Sequence, residues 1–225
     1  MKTKKIELYI HIPFCKSKCR YCDFCSFQAE NAVIDDYITK LKEELIFWGK
    51  KLTKEEVVTV FIGGGTPSYL KEQYIKEICN VIFQYFKVSE NAEITIEANP
   101  GTVDLKKLCT YRESGINRIS FGLQSTIQEE LQYLGRIHTY EQFLQCCNWA
   151  REAGFCNISV DLMSAIPKQT IHSYEKNLRT IAELSPEHIS AYSLIIEEGT
   201  PFYEDENLED LLPSEEDEVR MYQMT

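Results

Sequence analysis

The chain has 225 residues, 44% of them hydrophobic and 26% charged, with a formal net charge of −11. That composition suits a globular protein with a large core, and the acidic balance argues against a broad nucleic-acid-binding face, which is normally basic. No apolar run is long enough to cross a bilayer, and the short alternating start MKTKKIELYIHIPF lacks the small-residue cleavage site of a signal peptide.

The first apolar run, 7–14, is of strand length and leads into IPFCKSKCRYCDFCSF, a block holding Cys15, Cys19, Cys22 and Cys25. A helix-like segment follows at 31–50. The second run, 57–65, ends in Gly63-Gly64-Gly65 before Thr66-Pro67, with a helical pattern at 71–87. The third, 93–100, ends in Glu97-Ala98-Asn99-Pro100. The helix expected over 104–115 puts Leu105 and Leu108 on one face. The fourth run, 118–125, closes at Gln124, and a helix is expected at 140–154. The fifth, 157–167, carries Asp161 and precedes a helix at 171–184. The sixth is 188–196. Strands and helices in strict alternation imply right-handed crossovers and a parallel sheet. Six α/β units fit either an open doubly wound sheet or a barrel. In both, ligands collect at the C-terminal ends of the strands, where the cysteine block, the glycines, Glu97 and Gln124 fall. After the sixth run, Ser214 followed by acids reads as an N-cap. The domain expectation is therefore one unit over 1–212 and the start of a further helix over 213–225. That helix stops after about three turns, so the sequence reads as a truncated form of a longer protein.

Cysteines scattered through the rest of the chain (Cys79, Cys109, Cys146, Cys147 and Cys156) read as small buried hydrophobes. The block is different. A zinc ribbon needs two separated knuckles, and a ferredoxin run supplies a fourth thiolate to fill its last iron. The spacing Cys15-x3-Cys19-x2-Cys22 supplies three thiolates, enough for three irons of a four-iron cluster, with one iron left open for a ligand. Three glycines at a strand end have no Cβ atoms, so a ligand can approach the backbone closely. Glu97, in an isoleucine-rich strand, offers a carboxylate to hydroxyls or an ammonium. Arg136 offers a charge-assisted pair to a carboxylate. His11 reads as structural, and His138, His172 and His188 show no metal spacing.

The Cys15-x3-Cys19-x2-Cys22 block resembles the signature of radical S-adenosylmethionine (SAM) proteins. With LYIHIPFC (8–15), GGGTP (63–67), IEANP (96–100), FGLQ (121–124), LGRIH (134–138) and DLMSAIPKQT (161–170), the chain resembles the oxygen-independent coproporphyrinogen III oxidase family from Tyr9 to about Tyr203. This resemblance implies an α/β fold, a six-unit partial (β/α) barrel of parallel strands. It implies a [4Fe-4S] cluster on Cys15, Cys19 and Cys22, with Cys25 as a non-ligand. It also implies SAM contacts at Tyr9, Tyr21, Gly64, Gly65, Thr66, Glu97, Gln124, Arg136 and Asp161, with the glycine–threonine segment meeting the methionyl amino group. The family chemistry is reductive cleavage of SAM to methionine and a 5′-deoxyadenosyl radical.

True oxidases of the family carry a further cysteine two residues after the third cluster cysteine, where this chain has Phe24. The Asp-Phe-x-Ser form resembles the haem-chaperone, HemW-like branch. That branch implies haem binding and delivery to haem-accepting proteins, with a low-potential electron donor of the flavodoxin or ferredoxin type. The alternatives are an oxidase that makes protoporphyrinogen from coproporphyrinogen, and a radical SAM enzyme on another substrate. Enzymatic turnover stays open at this point. The expected location is the cytoplasm, with no nucleic-acid partner and no transmembrane segment.

Overall fold

A computed structural model describes residues 4–225, so Met1–Thr3, the first residues of the 1–14 stretch read as no signal peptide, lie outside the described residues. Six parallel strands form one sheet in the order of the chain: β1 (Lys5–Ile12), β2 (Glu56–Gly64), β3 (Val88–Ala98), β4 (Arg118–Gln124), β5 (Ile158–Ser164) and β6 (His188–Ser193). This order separates the two architectures that alternation alone left open. A doubly wound sheet reverses direction at a switch point, whereas here each strand pairs with its successor. The result is an open, partial barrel with helices on its outside.

Period-two side-chain alternation builds the wall. Ile10, Ile12, Val60, Ile62, Ile94, Ile96, Ile119, Phe121 and Val160 are buried towards the helices. The helices α1 (Asn31–Lys51), α2 (Glu72–Tyr85), α3 (Leu105–Glu113), α4 (Gln128–Tyr133), α5 (Tyr140–Glu152), α6 (Ile171–Glu183) and α7 (Glu215–Met224) follow the strands. Several begin on side-chain caps. Asp104 accepts from Lys107 N, and Thr139 and Thr170 form capping boxes with Gln142 and Ser173. Ser214 accepts from Asp217 N, as its N-cap reading requires.

Two strands, β3 and β5, depart from the bounds the sequence pattern gives, and one helix adds to that pattern. β3 begins at Val88, ahead of its isoleucine run, because Val88 pairs with Val57 across an irregular register. β5 stops at Ser164 because Ala165 (φ 59°) and Lys168 (φ 64°) turn the chain through the left-handed region. The short α4 was not legible at all. Among the scattered cysteines, Cys79 and Cys146 are buried as expected, Cys109 and Cys147 are half-buried, and Cys156 is exposed. Cys156 sits in the short connection before β5, and with half-buried Cys109 and Cys147 it corrects the uniform burial expected. No helix among the described residues is long and apolar enough to cross a membrane.

Candidate cofactor site

At the C-terminal ends of the strands, the loop after β1 folds back on itself. Cys15 N donates to Phe27 O (3.0 Å) and Phe27 N to Pro13 O (2.9 Å), closing the neck of the loop. Phe14, fully buried, packs edge-on against Phe27 and Tyr37 at 5.6 and 5.2 Å between ring centroids. His11 braces the far side. Its Nε2 donates to Cys25 O (2.9 Å), while its Nδ1 accepts from Tyr9 Oη (3.2 Å). His11 is thus structural, as its sequence context indicated.

The loop forms one wall of a cavity of about 320 Å³. Cys15, Cys19 and Cys22 line it, opposite Gly64, Gly65, Thr66 and Glu97, with Gln124, Arg136, Asp161 and Tyr21 completing the ring. Every site residue singled out from the sequence lies on this cavity except Tyr9. Tyr9 is 60% exposed, stacks on Phe61, and reaches the loop only through His11. Cys25 is exposed and does not line the cavity.

The cavity floor is shaped by close backbone approach. A Cβ on Gly65 would stand 2.9 Å from Ile12 O and Phe14 O, and Gly64 has φ +113°, with a Cβ there 2.5 Å from the His11 ring. Neither position admits a side chain without displacing the loop. Gly64 N instead donates to Glu97 Oε2 (2.9 Å). Thr66 Oγ1 lies 3.4 Å from Cys15 Sγ and accepts from Asn99 Nδ2 (3.0 Å). Arg136 joins the two sides. Its Nη1 donates to Cys19 Sγ (3.4 Å), and its Nη2 donates to Asn99 Oδ1 (2.8 Å) and to Gly122 O. Its Nε is buried without a partner among the described residues.

These features fit a cuboidal cluster and an anion-bearing ligand. Among the described residues no three His, Cys, Asp or Glu side chains converge as a single metal ion requires. Thiolates that each bind a different iron need not converge. The orphaned Arg136 Nε is a donor awaiting an acceptor such as a carboxylate. Burial, with Asp161 nearby, pushes Glu97 up to about 7 despite the Gly64 N–H. Asp161 is likewise raised by burial, against hydrogen bonds from Ser120 and Ser190 and the charge of Arg136. Burial also holds the Cys22 thiol above its ordinary value, and pushes His138 down to about 3, with Arg136 adding to the effect, so that this imidazole is neutral.

The raised Glu97 makes a stability prediction. An acid whose folded-state value lies above its unfolded value favours the fold at low pH and loses that advantage as pH rises through the folded value. Cofactor-free protein should therefore lose stability between about pH 4.5 and 7 through this residue. Glu97→Gln keeps an acceptor for Gly64 N, and should raise the melting temperature at pH 8 by several degrees while changing little at pH 4. Paired thermal melts at the two pH values check this.

The sequence reading did not single out Asn99, Tyr192 or Ile195. Asn99 bridges Thr66 and Arg136. Tyr192 donates to Gln124 Oε1 (2.8 Å), and Gln124 itself has φ 75°. Tyr192 pairs in register with Met163, which also lines the cavity, so inward alternation along β6 was the available signal. Ile195 and Phe24 are each 67% exposed at the cavity wall.

The model of the Radical SAM superfamily matches residues 9–181. The haem chaperone HemW of Bacillus subtilis (strain 168) is 39% identical over 218 residues, covering 96% of this chain and 58% of that protein. The oxygen-independent coproporphyrinogen III oxidase of Synechocystis sp. is 30% identical over 226 residues, covering all of this chain and 48% of that protein. Among solved structures, coproporphyrinogen III oxidase (HemN) from Escherichia coli, described as a radical SAM enzyme, superposes with a TM-score of 0.89 at 29% identity, over 99% of this chain and 51% of the other. The chain thus spans about half the length of the relatives it matches.

Proposed function

The chain belongs to the radical SAM superfamily, and from that premise we propose that it serves as a haem chaperone of the HemW kind. Superfamily membership implies a [4Fe-4S] cluster and SAM, and the residues present fit both. Cys15, Cys19 and Cys22 would hold the cluster. Gly64, Gly65, Thr66, Glu97, Gln124, Arg136 and Asp161 would hold SAM, with Tyr21 beside it. When bound, this pair supplies one-electron cleavage of the SAM sulfonium. The protein's own groups bind and orient. Arg136 offers its unpartnered Nε to a carboxylate. Glu97, ionised above about 7, accepts from an ammonium or from ribose hydroxyls. The narrow glycine floor sets the depth of the ligand. Tyr9 is assigned to support of the loop through His11.

The observation that carries the chaperone reading is Phe24. It stands where the resemblance places the extra cysteine of the oxidases, and it presents an apolar ring at the cavity wall. In this reading the chain receives haem and passes it to haem-requiring proteins, with reduction by a flavodoxin- or ferredoxin-type carrier. The setting is the cytoplasm, where reducing conditions keep the six cysteines outside the cluster trio as thiols. The second reading, coproporphyrinogen oxidation, is favoured by the HemN likeness over 99% of the chain. One experiment separates them. Anaerobically reconstituted, reduced protein is incubated with SAM and coproporphyrinogen III, and separately titrated with haem. A stable haem absorption spectrum without protoporphyrinogen is expected. Turnover to protoporphyrinogen would overturn the chaperone reading in favour of the oxidase.

A further inference from the structure

Glu130 lies in α4, a helix of six residues that is too short to hold its own shape in water. Its side chain is buried, yet none of the ion pairs among the described residues includes it. Four neutral donors surround it instead. Oε2 accepts from Ser125 Oγ (2.5 Å), Asn177 Nδ2 (2.8 Å) and Gln169 Nε2 (3.1 Å), and Oε1 accepts from Ser173 Oγ (2.7 Å). Taking a carboxylate out of water without a cation is costly, so its retention points to a geometric task.

The donors come from three separate segments. Ser125 belongs to the turn after β4, directly beyond Gln124 with its positive φ. Gln169 belongs to the loop after β5, where it also donates to Met163 O (3.3 Å). Ser173 and Asn177 belong to α6, and Asn177 Oδ1 accepts from Thr126 N (2.7 Å). The other end of α4 leads into Arg136, whose N donates to Leu131 O (2.9 Å), while Leu134 O accepts from Arg20 N (3.1 Å) in the cysteine loop. One carboxylate therefore clamps the segment that begins at Gln124, ends at Arg136 and leans on the loop of Cys19.

We propose that Glu130 is a positioning residue for the cofactor cavity, fixing the backbone that carries Gln124 and Arg136 and so setting the affinity for SAM. This inference rests on the SAM reading of the cavity. Glu130→Gln preserves shape but replaces charge-assisted hydrogen bonds with weaker neutral ones and turns the oxygen facing Ser173 Oγ into an amide donor. Two readouts test it. In reconstituted protein, equilibrium dialysis of SAM should show about tenfold weaker binding with unchanged iron content. In cofactor-free protein, amide hydrogen exchange should quicken over 124–136 and not over β1–β3. Ser173→Ala, which removes one donor to Glu130 together with one half of the α6 capping box, is the milder variant should Glu130→Gln fail to fold, and it should show a smaller loss of SAM affinity in the same direction. Thr170→Ala breaks the α6 capping box without touching Glu130, and should lower stability while leaving SAM affinity unchanged. Wild-type affinity in the Glu130 or Ser173 variant, or exchange quickened evenly across the sheet, overturns the proposal. Wild-type protein that binds no SAM overturns the reading of the cavity instead, and the exchange pattern then decides the role of Glu130 alone.

Discussion

Cys19→Ser is expected to abolish the four-iron cluster, whereas Cys25→Ser should leave it intact. The two thiols lie in one loop, but only Cys19 faces the cavity. Cys19 Sγ receives Arg136 Nη1 (3.4 Å) and lines the same space as Cys15 and Cys22, while Cys25 points to solvent and contributes its backbone carbonyl to His11. A serine hydroxyl is a poor iron ligand at neutral pH, and two remaining thiolates cannot seat three corners of a cubane. The loss should exceed the about 10–100-fold effects typical of residues that only support a metal ligand. Iron and sulfide content after anaerobic reconstitution, with EPR after dithionite, checks both halves. A four-iron signal persisting in the Cys19 variant, or lost in the Cys25 variant, would mean that the wrong trio of thiols has been assigned.

The same contrast shows what a linear sequence discloses and what it hides. Strand positions were legible because β-branched runs broken by Gly, Pro or Asn carry a strong local signal, as in VVTVFIGGG. The cavity was legible where function forces unusual residue types into sequence neighbours, as with Cys15, Cys19 and Cys22 or Gly64 and Gly65. It was less legible where neighbours meet only in space. Tyr9 stands on the first strand close to the cysteines, but its ring turns to Phe61 and His11, since a strand side chain's reach depends on what packs beside it. Asn99 and Tyr192 look ordinary in sequence because their partners, Arg136 and Gln124, lie far along the chain. Glu130 follows another glutamate in a stretch with no helical signal, so nothing in the sequence marks it as buried. Its burial comes from Gln169, Ser173 and Asn177, which α6 and the loop before it bring against α4. Alternation by itself fixed parallel strands but left barrel and doubly wound sheet open; the family resemblance implied the partial barrel, and pairing of each strand with its successor bears it out.

Arg136→Ala should weaken SAM binding by about 100-fold or more, a loss in keeping with removal of one partner from a buried charge pair. The guanidinium does two things at once. Its Nη atoms satisfy Asn99 Oδ1, Gly122 O and Cys19 Sγ, and its Nε is left as a buried donor with no partner among the described residues. Alanine deprives three acceptors of a donor and removes the group that would meet a carboxylate. Lysine keeps the charge but not the planar fork, and so should recover only part of the affinity. Gly122 leaves no slack for rearrangement, because a Cβ there would already lie 2.8 Å from Asn99 Oδ1 and 3.0 Å from Arg136 Nη2. A second readout distinguishes lost recognition from lost fold. Removing a hydrogen bond to a thiolate ligand lowers the reduction potential of an iron–sulfur cluster, so the reconstituted Arg136→Ala protein should keep its iron but reduce at a more negative potential than wild type. SAM titrations followed by EPR, beside a redox titration of the cluster, test both expectations. Unchanged potential with intact iron would show that Arg136 does not bond Cys19 once the cluster is in place, and unchanged affinity would remove the carboxylate from its proposed partner.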